Sequence, residues 1–143
     1  MDISTKTRYA LRALVELSMQ CEKEKKPIQL NIISQNQKIS LRYLENLFHI
    51  LTKHNIIKGH KGKFGGFTFV KKPKDIFINE IISILDNPLA KISCLTDSKS
   101  CELYKTCHTT NLWSELYIQI INFFSKISIE DLKEKTIKNK NYI

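Results

Sequence analysis

Ile56-Ile57-Lys58-Gly59-His60-Lys61-Gly62-Lys63-Phe64-Gly65-Gly66-Phe67-Thr68-Phe69-Val70 decides the fold. All four glycines of the 143-residue chain, Gly59, Gly62, Gly65 and Gly66, fall within eight residues of this stretch. Two β-prone runs, residues 56–58 and 67–70, flank the glycine-rich part, which reads as a β-hairpin with a loop longer than a two-residue turn. Glycine permits positive φ and lets the backbone approach another surface closely, so Gly65 and Gly66 are candidates for the contact face. Lys58, Lys61 and Lys63 would project from the tip. The result is a short, basic wing suited to phosphate backbones. A nucleotide phosphate loop is the rival reading, and it lacks both the G-x-G-x-x-G and the Walker spacing.

Charge supports the same segment. Residues 53–74 hold seven lysines and no acid, whereas residues 1–52 carry a net +3 and residues 75–143 a net −1, out of +9 for the chain. Clustering of this kind marks a polyanion-binding surface, with a solvated lysine-rich face as the plainer alternative. The chain is 42% hydrophobic and 26% charged, enough to bury one core and too short for two enzyme-sized ones. No apolar run approaches the ~20 residues of a membrane span. The polar opening Met1-Asp2-Ile3-Ser4-Thr5-Lys6 gives no signal peptide, so a cytoplasmic protein with no membrane association is expected.

Upstream lies what a wing requires. Ala10, Leu11, Leu14 and Leu17 recur at helical spacing, and the charged residues 22–26 with Pro27 end that helix. Leu30-Asn31-Ile32-Ile33-Ser34-Gln35-Asn36 is short and amphipathic. Ser40 is a good N-cap for a helix carrying Leu44, Leu47, Phe48 and Leu51 on one stripe, and Asn55 a plausible left-handed stop. Two short helices joined by Gln37-Lys38-Ile39 and followed by a hairpin make a winged helix-turn-helix whose second helix is the reader. The fold class expected is therefore mainly α with a small β-hairpin. Ser40, Arg42, Tyr43 and Glu45, near the start of the reader helix, are the candidates for base and backbone contacts.

Cys21 reads as a small, half-buried hydrophobe. Cys94, Cys101 and Cys107 form a C-x6-C-x5-C-H pattern closed by His108. In a reducing compartment such a cluster points to zinc, to an iron–sulfur cluster or to metal-free thiol redox chemistry. An enzyme built on Cys107 is not expected, because a sequence-adjacent His seldom aligns for proton transfer and no supporting acid is evident. Residues 77–85 read as a short helix. Further on, Leu112, Leu116, Ile120, Phe123 and Ile127 form one apolar stripe and Trp113, Tyr117, Ile121 and Phe124 an adjacent one. So wide an arc asks for a partner helix, most simply its own copy in a two-fold homodimer, the alternative being a single wide core helix. Ser128-Ile129-Glu130-Asp131 opens a last helix, and the lysine-rich tail from Lys133 is expected to fray. The organisation expected is a DNA-binding domain over 1–86, a Cys-rich cluster-binding loop over 87–110, a long dimerisation helix and terminal helix over 111–137, and a frayed tail over 138–143.

The chain resembles the Rrf-type family of bacterial winged-helix transcription regulators over roughly residues 1–135. The resemblance rests on Thr5-Lys6-Thr7-Arg8-Tyr9-Ala10-Leu11, on Ile39-Ser40-Leu41-Arg42-Tyr43-Leu44-Glu45-Asn46-Leu47-Phe48, and on Lys61-Gly62-Lys63-Phe64-Gly65-Gly66-Phe67, with Glu80-Ile81-Ile82, the three-Cys loop and Leu112-Trp113 in order. It implies a homodimer on double-stranded operator DNA and, in three-Cys members, an iron–sulfur cluster. By position Cys94, Cys101 and Cys107 match the cluster ligands, Ser40, Tyr43 and Glu45 match reader-helix contacts, and Lys61 matches a wing arginine that enters the minor groove. The likeness of wing and reader helix to IscR-type members favours 2Fe–2S over 4Fe–4S.

Two departures stand out. The first Cys spacer has six residues instead of the five of IscR-type members, and Thr110 stands where they place a fourth-ligand His. Other branches use an acidic ligand near the N-terminus, where this chain has Arg8, which cannot coordinate iron. His108 is then the candidate fourth ligand. The function implied is a regulator sensing iron–sulfur, redox or nitric oxide status. The alternative is a CymR-type regulator that signals through a partner protein, its cysteines binding zinc or acting as redox thiols.

Overall fold

The computed structural model describes residues 3–86 and 93–135. Helix α1 (Thr5–Glu24) starts where the Ser4 hydroxyl accepts from the Thr7 N–H and ends at Lys25, whose φ of 55° precedes Pro27. Asp86 ties this start to the end of α4 (Ile78–Leu85). Its Oδ2 accepts from the Ser4 N–H at 3.1 Å, the Ser4 hydroxyl at 2.8 Å and the Thr7 hydroxyl at 2.6 Å. One carboxylate thereby satisfies donors that a helix N-terminus leaves open.

The α2 helix (Leu30–Gln37) turns at Lys38, left-handed at φ 53°, into α3 (Leu41–Lys53). Ser40 caps α3 by accepting from the Tyr43 N–H at 3.2 Å, as its sequence position suggests. Leu44, Leu47, Phe48 and Leu51 of α3 are buried with Ala10, Ala13, Leu14 and Leu17 of α1 and Ile33 of α2. Asn55, at φ 57°, makes the stop before the hairpin.

Strands β1 (Ile57–His60) and β2 (Gly66–Phe69) pair antiparallel from Ile57 opposite Phe69 to His60 opposite Gly66. A third segment joins them. The Ile28 N–H donates to the Phe67 carbonyl at 3.0 Å, and the Phe67 N–H donates to the Ile28 carbonyl at 2.8 Å. On the core side Phe67 meets Phe48 edge-to-face with ring centroids 5.1 Å apart, which fixes the wing to the reader helix. The result is a winged helix-turn-helix, mostly helical with one two-stranded hairpin among the described residues.

Two expectations about the C-terminal part need correction. Helix α6 (Thr110–Ser125) stops before Ile127, so Ile127 does not continue its apolar stripe. Ile127 is 2% exposed in the head's core, its carbonyl accepting from the Ile78 N–H at 2.9 Å while the Ile129 N–H donates to the Ile76 carbonyl at 2.9 Å. The chain thus returns to the winged domain, and α7 (Ile129–Glu134) packs on α1. Lys133 is ordered for the same reason. Its ammonium pairs with Glu22 of α1 at 2.6 Å and with Glu130 at 2.6 Å, so fraying does not begin at that residue. A capping box between Ser128 and Asp131 opens α7. The proposed frayed tail at 138–143 lies outside the described residues.

Between the head and α6 stand a four-residue helix, α5 (Ser93–Thr96), and a 3-10 turn (Ser98–Ser100). No side chain of α6 is buried, and Leu112 and Leu116 are 59% and 46% exposed.

Candidate nucleic-acid interface and cysteine loop

The reader helix presents its first turn outward. Ser40, Arg42 and Glu45 are exposed, and among the described residues no hydrogen bond or ion pair engages the Arg42 or Glu45 side chain. Tyr43 is half-buried and meets Tyr9 of α1 edge-to-face, centroids 5.8 Å apart, while the Arg12 guanidinium lies 5.4 Å from the Tyr9 ring centre. Arg12 also donates to the Gln37 backbone carbonyl and, at 3.3 Å, to its side-chain oxygen, closing the end of α2. Behind it Glu16, 6% exposed, accepts from Gln20 at 2.8 Å, Asn36 at 2.7 Å and Gln37 at 2.7 Å. Burial works to raise the Glu16 carboxyl, and the three amide donors outweigh it and hold its pKa below the usual value. This network sets the angle between α1, α2 and the reader helix.

The wing presents Lys58, Lys61 and Lys63, all exposed. Its tip is a tight turn in which the Gly65 N–H donates to the Gly62 carbonyl at 2.9 Å, so Lys63 and Phe64 occupy the two corners. Gly65 and Gly66, candidates for the contact face, serve the hairpin's own geometry. Gly65 is buried, and a Cβ there would stand 2.3 Å from the His60 carbonyl oxygen. Gly66, at φ 147°, would place a Cβ 2.5 Å from the Ile28 backbone. The close approach is therefore to the chain itself. Phe64, 81% exposed beside Lys63, was not among the sequence candidates. An aromatic inside a glycine- and lysine-rich turn was the signal for it.

Cys94, Cys101 and Cys107 are free, half-buried thiols on the segment that leads into α6. Cys107 sits two residues before Thr109, the N-cap of α6. The Thr109 hydroxyl, 3.3 Å from Sγ, then the Thr110 hydroxyl and the backbone N–H groups of both residues lower its pKa to about 7. His108 is exposed. The donor set suits a thiophilic metal by chemistry, with three sulfur ligands and one nitrogen, but its geometry is not assembled. No three Cys, His, Asp or Glu side chains among the described residues gather into a metal-binding group. Cys21 is half-buried against the wing, and burial pushes its thiol pKa up, as its reading as a small hydrophobe implies.

Among the described residues no helix is long and apolar enough to cross a membrane. The profile of the Rrf2 family, described as iron-dependent transcriptional regulators, matches residues 3–135. The chain is similar to the transcriptional regulator IscR of Xenorhabdus nematophila, 32% identical over 143 residues that cover all of this chain and 83% of that protein. It is also similar to the protein rrf2 of Nitratidesulfovibrio vulgaris, 27% identical over 92% of this chain and 87% of that one. Among solved structures, T. potens IscR superposes with a TM-score of 0.76 at 23% identity, over 99% of this chain and 92% of that one. CymR, the global cysteine regulator of B. subtilis, superposes with a TM-score of 0.76 at 28% identity, over 94% and 98%. The IscR of X. nematophila is named as a transcriptional regulator and CymR as a regulator, neither of them as an enzyme. An exposed reader helix and a wing braced on it agree with that assignment, and the chain belongs to the Rrf2 family of transcriptional regulators.

Proposed function

We propose that this regulator binds operator DNA as a homodimer and adjusts that binding through its three-cysteine loop. The observation that carries the DNA reading is the set of exposed cations on two braced elements, Arg42 on the reader helix and Lys58, Lys61 and Lys63 on the wing. The lysines neutralise phosphates and give affinity that falls with salt, while Ser40, Arg42, Tyr43 and Glu45 read bases and fix register. The second copy packs against the exposed apolar face of α6, where Leu112, Trp113 and Leu116 otherwise meet water. A two-fold pair of this kind presents two reader helices to successive major grooves.

In this reading Cys94, Cys101 and Cys107 ligate an iron–sulfur cluster, 2Fe–2S in preference to 4Fe–4S, with His108 as the fourth ligand. When bound, such a group supplies one-electron redox chemistry and a site sensitive to iron supply, oxidants and nitric oxide. The chain's own contribution is mechanical. Gathering three thiols that are now apart reorders residues 93–107, which run directly into α6, and so biases how the two heads are spaced. This division gives a DNA-binding unit over 1–86 completed by the returning residues 127–134, a sensing loop over 87–110 and the dimerisation helix α6 between them, acting in the cytoplasm.

A second reading has one observation in its favour. Cys107, 3.3 Å from the Thr109 hydroxyl at the start of α6 and with its pKa lowered to about 7, suits thiol chemistry without metal, which would make the loop a redox switch and leave signalling to a partner protein, with zinc bound by the same thiols as the variant of this reading. Anaerobic purification with visible absorption, iron and acid-labile sulfide assays separates the two. Charge-transfer bands with stoichiometric iron and sulfide support the cluster. A protein that stays colourless after reconstitution leaves the thiol or zinc reading.

A further inference from the structure

Phe64 is the most exposed large apolar side chain among the described residues, at 81%, and it stands in the most basic segment of the chain. Its position is built. The Gly62–Gly65 hydrogen bond closes a four-residue turn, and Gly62, at φ 99°, carries the left-handed conformation, so Lys63 and Phe64 hold the corners without strain. The Lys63 ammonium lies 5.8 Å from the Phe64 ring centre. The hairpin beneath is anchored twice, by the Ile28–Phe67 backbone pair and by the Phe48–Phe67 ring contact. A ring held outward at the tip of a braced hairpin, with Lys61 and Lys63 just before it and no acid in residues 53–74, matches a polyanion that offers an apolar surface between its charges.

Duplex DNA is such a surface. Its minor groove is lined by deoxyribose and base edges and edged by phosphates, and apolar side chains that enter it lie against or between base steps. We propose that Phe64 is an apolar contact of the wing with the minor groove, while Lys61 and Lys63 hold the flanking phosphates. This rests on the DNA-binding reading above. The wing tip then has two separable parts. The lysines contribute counterion release, which salt erodes, and Phe64 contributes burial of a ring, which salt leaves in place. Phe64 also favours sequences whose steps unstack easily, such as TA and CA/TG, so the wing carries a preference that the reader helix does not supply.

The test measures binding of a fluorescein-labelled 30-bp duplex, the sequence that the wild-type protein enriches from a randomised pool, across a series of salt concentrations. Phe64→Ala is expected to weaken binding on the order of tenfold at every salt concentration with an unchanged slope of log affinity against log salt. Phe64→Leu keeps most of the affinity, because the contact is apolar and does not require the ring's interaction with Lys63. Lys61→Ala and Lys63→Ala each reduce the slope by about one instead. All three side chains are exposed, and far-ultraviolet circular dichroism verifies that each variant is folded. Equal affinity of Phe64→Ala and wild type at high salt overturns the proposal, and would leave Phe64 to a protein partner. A wild type that enriches no duplex and binds none overturns the DNA reading itself.

Discussion

Replacing Gly66 by alanine tests how the wing is held to the head. Gly66 lies at φ 147°, a conformation L side chains rarely adopt, and a Cβ there would stand 2.5 Å from both the carbonyl carbon and the oxygen of Ile28 and 2.9 Å from the Gln29 nitrogen. These are backbone atoms, so no side-chain rotation relieves the clash. The strand must leave Ile28, which breaks the two hydrogen bonds between Ile28 and Phe67 at 2.8 and 3.0 Å. Backbone strain costs about 2 kcal/mol and each lost bond about 1 kcal/mol, while alanine's stiffer unfolded chain offsets about 0.5 kcal/mol. The expected loss is therefore about 3 to 4 kcal/mol, seen as a fall of roughly 2 M in the urea midpoint at unchanged slope. Gly62→Ala is the control. Its φ is 99° but nothing lies within 4 Å of the added atom, so it loses only the strain, about 1 to 2 kcal/mol. Equal urea midpoints for Gly66→Ala and Gly62→Ala would refute the role assigned to the Ile28 contact.

Glu16→Ala removes the shared acceptor of Gln20, Asn36 and Gln37, of which Asn36 is exposed and the other two half-buried, and is expected to destabilise by about 1 to 2 kcal/mol in chemical denaturation, whereas Glu16→Asp recovers part of the loss. Acid stability follows from Glu16 and Asp86. Burial would raise both carboxyls, but hydrogen bonds from Asn36, Gln20 and Gln37, and from Thr7 and Ser4, depress them. Their contribution is therefore complete above the ordinary values of 4.5 and 3.8 and is lost as pH falls through the lower folded values. Asp86→Asn should flatten the part of that loss that falls below about pH 4 in thermal melts. In the metal-free protein, iodoacetamide should label Cys107 with a midpoint of about 7, and Thr109→Ala should move the midpoint upward; a midpoint near 9 would contradict the helix-start environment. Replacing Leu112 and Leu116 together by glutamate should give a folded monomer in sedimentation, since neither side chain is buried in the protomer.

The local elements were legible because their determinants are local. Ser40 caps the reader helix, Asn55 stops the chain before the hairpin, and Ser128 with Asp131 opens α7, all from residue type and position. Glycine clustering also revealed the hairpin. It did not reveal what the glycines approach, because Gly66 meets Ile28, 38 positions earlier, and such pairings leave no periodic trace. Ile127 misled for a related reason: it continues the apolar spacing of α6, yet the backbone bonds of residues 127–129 to Ile76 and Ile78 take it into the head. Lys133 looked like part of a solvated tail, and its partner Glu22 lies 111 residues away. The buried Glu16 network was hidden because Gln20, Asn36 and Gln37 are ordinary surface residue types until α1 and α2 pack. The cysteine spacing identified a donor set, whereas its assembly depends on a loop conformation that spacing does not encode.

The central claim is that the three-cysteine loop controls DNA binding. Affinity for one selected duplex, measured in parallel under anaerobic conditions on the cluster-loaded protein and on the same preparation stripped of metal, tests it most directly. The account expects the two forms to differ, at least tenfold on the scale typical of coupling between sites, with the difference lost in Cys101→Ser. Equal affinities of the loaded and stripped forms, on this duplex and on every other duplex the protein selects, would contradict it.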